Sequence, residues 1–176
     1  MPPKLSLKMF DTHILPILEY NSEVWFSEKE NNDLEKIQLS FLKNMLSVRS
    51  QTPTTAILAD TGRFPLHIRQ QTSALKYLDR LKSKNCPLLL SKCLKIQLKL
   101  KDEGAPCWLT RLHNICSKLN VDPVSCDLSK TIASLYDFTK DKMFTDIRDN
   151  TKYPKLRTYK TFKTDSRIEP YLMHIA

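Results

Sequence analysis

Three lysines, Lys92, Lys95 and Lys99, recur three or four residues apart, the interval that brings side chains to one side of a helix. Arg80, Lys82 and Lys84 lead into them, and residues 61–101 hold 10 basic side chains against one acid. An array of this kind can neutralise consecutive phosphates and release their condensed counterions, so nucleic acid held by its backbone is the partner class it points to. A solvated basic face has the same composition, and the residues alone leave both readings open. Elsewhere the charge is near balance, at −2 over residues 1–60 and again over 102–149, with +4 over 150–176, for a net +9.

Other chemistry is thinly represented. Nucleotide transfer needs paired carboxylates that hold two metal ions about 4 Å apart. The sequence has no Asp-Asp pair, no aromatic-x-Asp-Asp turn and no Gly-rich phosphate loop. A Ser-His-Asp or Cys-His assembly is not ruled out by residue order, but the 4 histidines are scattered and no Gly-x-Ser-x-Gly elbow accompanies them. The 5 cysteines, Cys86, Cys93, Cys107, Cys116 and Cys126, form no C-x-x-C pair and have no His at zinc-ligand spacing. They read as reduced thiols, and no catalytic residue, metal site or cofactor is expected in the chain. His13, set among apolar residues, reads as a partly buried imidazole, and Trp25 and Trp108 as core anchors. Arg63, between Gly62 and Phe64-Pro65, suits a bond to carbonyls or a carboxylate at that turn as well as it suits a phosphate.

The elements that must position these residues read as helices. With 2 glycines in 176 residues there is little turn chemistry for a meander of strands. Leu7, Phe10, Ile14, Leu15 and Leu18 mark a first helix over 5–20, which Pro16 should kink or divide. A second, from 32 to 48, carries Leu34, Ile37, Phe41, Met45 and Val48 as its apolar stripe, with Asp33 and Glu35 at its positive end. Thr52-Pro53 opens a short helix closed by Gly62, and Pro65 begins a long one with Leu66, Ile68, Leu75, Leu78 and Leu81 inward. Asn85-Cys86-Pro87 restarts the chain into a helix to about residue 101 that holds the three lysines. Gly104-Ala105-Pro106 and Asp122-Pro123 bound a helix with Trp108, Leu112 and Ile115 inward. Asp127 or Ser129 caps another, to about residue 148, with Ile132, Leu135, Phe138, Met143 and Ile147 on its apolar face. Pro154, Pro170 and the aromatic-basic alternation between them predict a short helix and an extended, strand-like arm. The expected fold is all-α, an irregular bundle of about six or seven helices with an irregular C-terminal arm. Its expected parts are a thumb-like region over 1–84, further helices over 85–150 and a basic-aromatic arm over 151–176. No apolar run reaches the ~18 residues of a membrane-spanning helix. The start, Met1-Pro2-Pro3-Lys4, runs into an amphipathic stretch rather than a signal-peptide core, so an intracellular site, nucleus or cytoplasm, is expected.

Several unlike blocks occur here in a telling order. They are Leu7-Lys8-Met9-Phe10-Asp11-Thr12, Leu15-Pro16-Ile17-Leu18-Glu19-Tyr20, Ser22-Glu23-Val24-Trp25, the run from Leu34 to Val48, Gly62-Arg63-Phe64-Pro65-Leu66 and Lys76-Tyr77-Leu78-Asp79-Arg80-Leu81. Together they resemble the region just beyond the catalytic palm in reverse transcriptases of non-LTR, LINE-type retrotransposons, including jockey-like elements. A weaker match follows in the run from Leu156 to Thr164 and in Ile168-Glu169-Pro170-Tyr171-Leu172. The family usually has Gly where this chain has Asn21, Phe26 and Ser47, and Glu before Leu-Gly where it reads Asp60-Thr61-Gly62. These departures suggest a degenerate copy.

The resemblance implies a parent RNA-directed DNA polymerase with an endonuclease, using magnesium in its palm. The chain itself is expected to be inactive and to support a template-primer by backbone contacts. Two other readings stand beside it, a stand-alone basic helical protein-interaction module and a nonfunctional remnant.

Overall fold

The computed structural model describes residues 2–26, 28, 33–124, 127–149 and 153–173, and every regular element among them is helical. In chain order these are α1 (Pro3–Met9), a π-helical turn (Phe10–Ile14), α2 (Leu15–Leu18), α3 (Ser22–Trp25), α4 (Asp33–Met45), α5 (Thr54–Thr61) and α6 (Leu66–Lys82). There follow α7 (Leu88–Asp102), α8 (Trp108–Ser117), α9 (Leu128–Arg148), a 3-10 turn (Pro154–Leu156), α10 (Tyr159–Phe162) and α11 (Pro170–Met173). Contacts divide the chain into two units. The first comprises Met1–Tyr20, Asn31–Leu66 and Phe138–Ala176, the second Asn21–Glu30 and His67–Asp137. Divisions at 84 and 150 do not coincide with these boundaries, which fall at the start of α6 and inside α9. Among the described residues no helix is long and apolar enough to cross a membrane.

In the first unit, Pro16 does divide the first helix. The π turn before it carries the Leu15 N–H to the Phe10 carbonyl, five residues back, so the widened turn comes just ahead of the residue that has no N–H to give. Phe10 and Leu15 then point inward while residues 11–14 face water. His13 is therefore exposed, not partly buried as the sequence suggested, and Ile14 is exposed with it. The Arg63 guanidinium donates to an Asp11 carboxylate oxygen at 2.7 Å and lies 5.3 Å from the centre of the Phe10 ring, the structural role foreseen for it at the turn.

α4 is rotated by about one residue from its apolar stripe. Glu35, Gln38 and Leu42 are buried, Leu34, Phe41 and Met45 flank them, and Ile37 and Val48 face solvent. The reason is that α6 begins inside the core. Its first amide, Leu66 N–H, donates to Glu35 Oε2 at 2.6 Å, and Gln38 Nε2 donates to the Phe64 carbonyl at 3.2 Å. Glu35 lies in the first turn of α4 as expected and also caps another helix. Pro53 is the cap residue of α5 rather than its first helical residue, and Gly62, at φ +64°, closes that helix as expected, with Arg63 N–H bonded to the Leu58 carbonyl.

The C-terminal arm forms no strand among its described residues. The arm buries Leu156 in the 3-10 turn before α10, Lys163 in the irregular chain after α10 and Leu172 in α11. Burial of a leucine to this degree stabilises by roughly 1.5–3 kcal/mol, which helps hold a segment with so little regular structure.

The second unit packs Ile68, Leu75 and Leu78 of α6 against Leu109, Leu112 and Ile115 of α8 and Leu135 of α9. Leu81 is half-buried at the edge. Trp108 is half-buried, edge-on to Phe26 and Tyr77, and donates Nε1–H to the Glu23 carbonyl at 2.8 Å. Its neighbour in sequence reading, Trp25, is instead exposed, and Phe26 takes the core position next to it. Arg111 clamps that residue by bonding the Phe26 carbonyl, pairing with Glu28 at 3.0 Å and lying over the Phe26 ring. Asp127 caps α9 by accepting Ser129 N–H at 2.9 Å. Thr131 and Leu135 are buried in this half of the helix, whereas Phe138, expected inward, is exposed.

Candidate nucleic-acid interface

Pro87 sets the start of α7, with φ −54° and ψ 141° at the cap position, and the helix then runs 15 residues without burying a side chain completely. Lys92, Lys95 and Lys99 project from one side of it into solvent, and Lys84 is exposed in the turn before it. None of these four has an ion-pair partner among the described residues. Lysines placed this way are hydrated point charges with freedom to follow a phosphate.

The other two residues of the basic set are engaged. Arg80 stands 5.3 Å from the centre of the Tyr77 ring and 3.7 Å from a Glu23 carboxylate oxygen, with its side chain still 68% exposed. Lys82 donates to the carbonyls of Pro123 at 2.8 Å and Val124 at 2.7 Å, tying the end of α6 to the connection between α8 and α9. It acts as a strut between these elements while remaining exposed, which sets it apart from the four lysines without ion-pair partners. Lys101, at the end of α7, is drawn away to Asp122 at 3.7 Å.

What lies beside the lysines was not identified from the sequence. Val24, Tyr77, Leu81, Leu90, Leu94 and Trp108 line a groove of about 220 Å³, and Leu88, Leu89 and Ile96 of α7 stand in water next to it at 73%, 71% and 57% exposure. A signal was nonetheless present, because α7 has apolar residues on more of its circumference than one buried stripe can use.

A second polar cluster lies in the first unit. Tyr159 donates to Asp60 Oδ1 at 2.5 Å, Tyr171 to Oδ2 at 3.3 Å, and the Glu169 N–H to the Asp60 carbonyl at 2.9 Å. Lys163 pairs with Glu169 and donates to the Arg167 carbonyl at 2.8 Å. Burial raises the Asp60 carboxyl above its usual range against the pull of Tyr159. Burial, then the Asp60 charge, pushes the Tyr171 hydroxyl up to about 12 and raises Tyr159 further still. Both phenols stay protonated as donors, so the cluster anchors chain and offers no nucleophile.

Among the described residues no three His, Cys, Asp or Glu side chains gather as a metal site, and Cys126 lies outside those residues. The described cysteines are free thiols. No family model, curated protein or solved structure matches the chain.

Proposed function

We propose that the chain is a segment of a non-LTR retrotransposon reverse transcriptase from beyond the palm, and that its second unit supports a template-primer duplex by contacts to the sugar-phosphate backbone. The observation that carries the binding part is the set Lys84, Lys92, Lys95 and Lys99, exposed and without ion-pair partners among the described residues. Lysines that hold this protein together find carbonyls or carboxylates, as Lys82 and Lys101 do, whereas these four are left to solvent. Such charges bind any sequence and read backbone geometry rather than bases.

The parentage is supported by the way family-like blocks meet. Tyr159, Glu169 and Tyr171, from the weaker closing match, all bond Asp60, which stands where the family has Glu before Leu-Gly. Asn21 and Ser47, two of the positions where the family has glycine, both adopt φ +53°, the left-handed region that glycine enters without strain. Phe26, the third, has φ −39° and makes no such demand. In this reading the two-metal chemistry and its magnesium belong to the parent palm, and the setting is intracellular, nucleus or cytoplasm.

The test is fluorescence anisotropy with a short RNA–DNA hybrid across a salt series. Replacing Lys92, Lys95 and Lys99 with Gln should flatten the slope of log affinity against log salt by roughly 2 to 3. An unchanged slope, with helical content intact by circular dichroism, would remove this face as the contact surface.

A further inference from the structure

Three surfaces follow one another round α7 at 100° per residue. Leu90 and Leu94 face the groove closed by Val24, Tyr77, Leu81 and Trp108. Leu89, Cys93 and Ile96 come next, an exposed apolar ledge continuous with the groove through Cys93, which lines it. Lys92, Lys95 and Lys99 follow, and Arg80 stands beside Tyr77 on the facing wall. Apolar floor, apolar ledge and cationic rim are thus contiguous.

A phosphate backbone uses the rim and leaves the ledge in water, so the ledge and groove call for a different occupant. We propose that this surface binds an acidic amphipathic helix of another protein. Leu-type anchors at i, i+4 and i+7 would fill the groove and cover the ledge, and flanking Glu or Asp side chains would meet Lys92 and Lys99. Charge complementarity selects this occupant, since Lys92, Lys95 and Lys99 stand beside the ledge with no ion-pair partner among the described residues and a basic or neutral helix would leave them unmatched. The groove offers room for an apolar anchor and almost no polar wall, which suits a peptide side chain better than a base needing hydrogen bonds on its edge. This inference stands on the apolar surface and holds whether or not the lysines also meet nucleic acid.

The experiment uses the full chain and a synthetic 18-residue helical peptide carrying Leu at the anchor positions and Glu beside them. Isothermal titration should show binding that weakens at least tenfold in the double variant Leu89→Ser/Ile96→Ser. Both residues are exposed, so the fold should be kept, as circular dichroism would verify. The same variant should leave the salt slope for the RNA–DNA hybrid unchanged, which separates this surface from the backbone contacts. A peptide with Lys in place of Glu should bind at least tenfold more weakly than the acidic one. Equal binding of the two peptides, equal binding by the double variant, or no binding would overturn the proposal. Self-association of the chain abolished by Leu89→Ser/Ile96→Ser would overturn it too, assigning the face to a second copy.

Discussion

The Glu35 carboxylate accepts the Leu66 backbone N–H at 2.6 Å from a site only 3% exposed to solvent. Leu66 is the first residue of α6, and an amide at that position has no partner within its own helix. Gln38 completes the arrangement, donating to the other Glu35 oxygen at 3.3 Å and to the Phe64 carbonyl. Both bonds favour the charged carboxylate, yet burial opposes them more strongly and holds the carboxyl up to about 7 from an ordinary 4.5.

That displacement makes stability depend on pH in a stated direction. Between pH 4.5 and 7 the folded chain keeps a proton on Glu35 that the unfolded chain releases. Stability therefore falls as pH rises across this window and levels off above it, by up to about 3 kcal/mol. Urea midpoints at pH 5, 6, 7 and 8 should show the fall in the native chain and not in Glu35→Gln. The same fall in both would assign it to other groups. Glu35→Ala, which leaves the Leu66 N–H without its acceptor, should lose roughly 1–3 kcal/mol at pH 5, where Glu35 is protonated, and less at pH 8, because the variant lacks the titration that weakens the native chain.

Gly62 faces a harder constraint than its left-handed φ. A Cβ built there would lie 3.0 Å from the Ile168 backbone nitrogen and 3.3 Å from the Ser166 carbonyl oxygen, neither of which can swing aside like a side chain. Gly62→Ala should lose roughly 1–3 kcal/mol and speed proteolysis between residues 163 and 169. Asn tolerates the φ but still carries a Cβ, so Gly62→Asn should also nick faster. Native resistance in the Asn variant would show that φ alone matters.

The two phenols on Asp60 should not be equivalent. Tyr159 makes the shorter bond from a partly buried position, whereas Tyr171 is more than half exposed and its bond is 3.3 Å long. Tyr159→Phe should lose about 1.5–3 kcal/mol, as for a hydrogen bond to a charged acceptor, and Tyr171→Phe well under about 1 kcal/mol. Thermal unfolding of the two variants checks the order, and a greater loss for Tyr171→Phe would contradict it.

Much of the helical layout was legible because its punctuation is local. Gly62, Pro87 and Asp127 act within a few residues of themselves, and each ends or opens a helix close to where its chemistry placed it. The buried face of α4 was not legible, since Glu35 and Gln38 look like surface residues until α6, more than 25 residues on, requires a cap. The segmentation into units was hidden for a related reason, as periodicity along a helix carries no record of which distant segments it joins. In the candidate interface the lysines of α7 were readable from spacing alone, but the capture of Lys82 depends on carbonyls 41 and 42 residues away.

Lys82 and Lys99 provide the sharpest separation between holding the fold and presenting charge, since sequence reading put both in one basic array. Lys82 satisfies two carbonyls that would otherwise turn to water, so Lys82→Gln should lower stability by roughly 0.5–2 kcal/mol. Its charge is already committed to those carbonyls, and the salt slope for an RNA–DNA hybrid should change by well under one. Lys99 is exposed with no ion-pair partner among the described residues, so Lys99→Gln should leave stability within about 0.5 kcal/mol and flatten the slope by about 1 if it meets a phosphate. Urea denaturation and anisotropy on the same two proteins test both statements at once. A flattened slope in Lys82→Gln with native stability would mean that its ammonium leaves the Pro123 and Val124 carbonyls when nucleic acid binds, and the strut assignment would then fail.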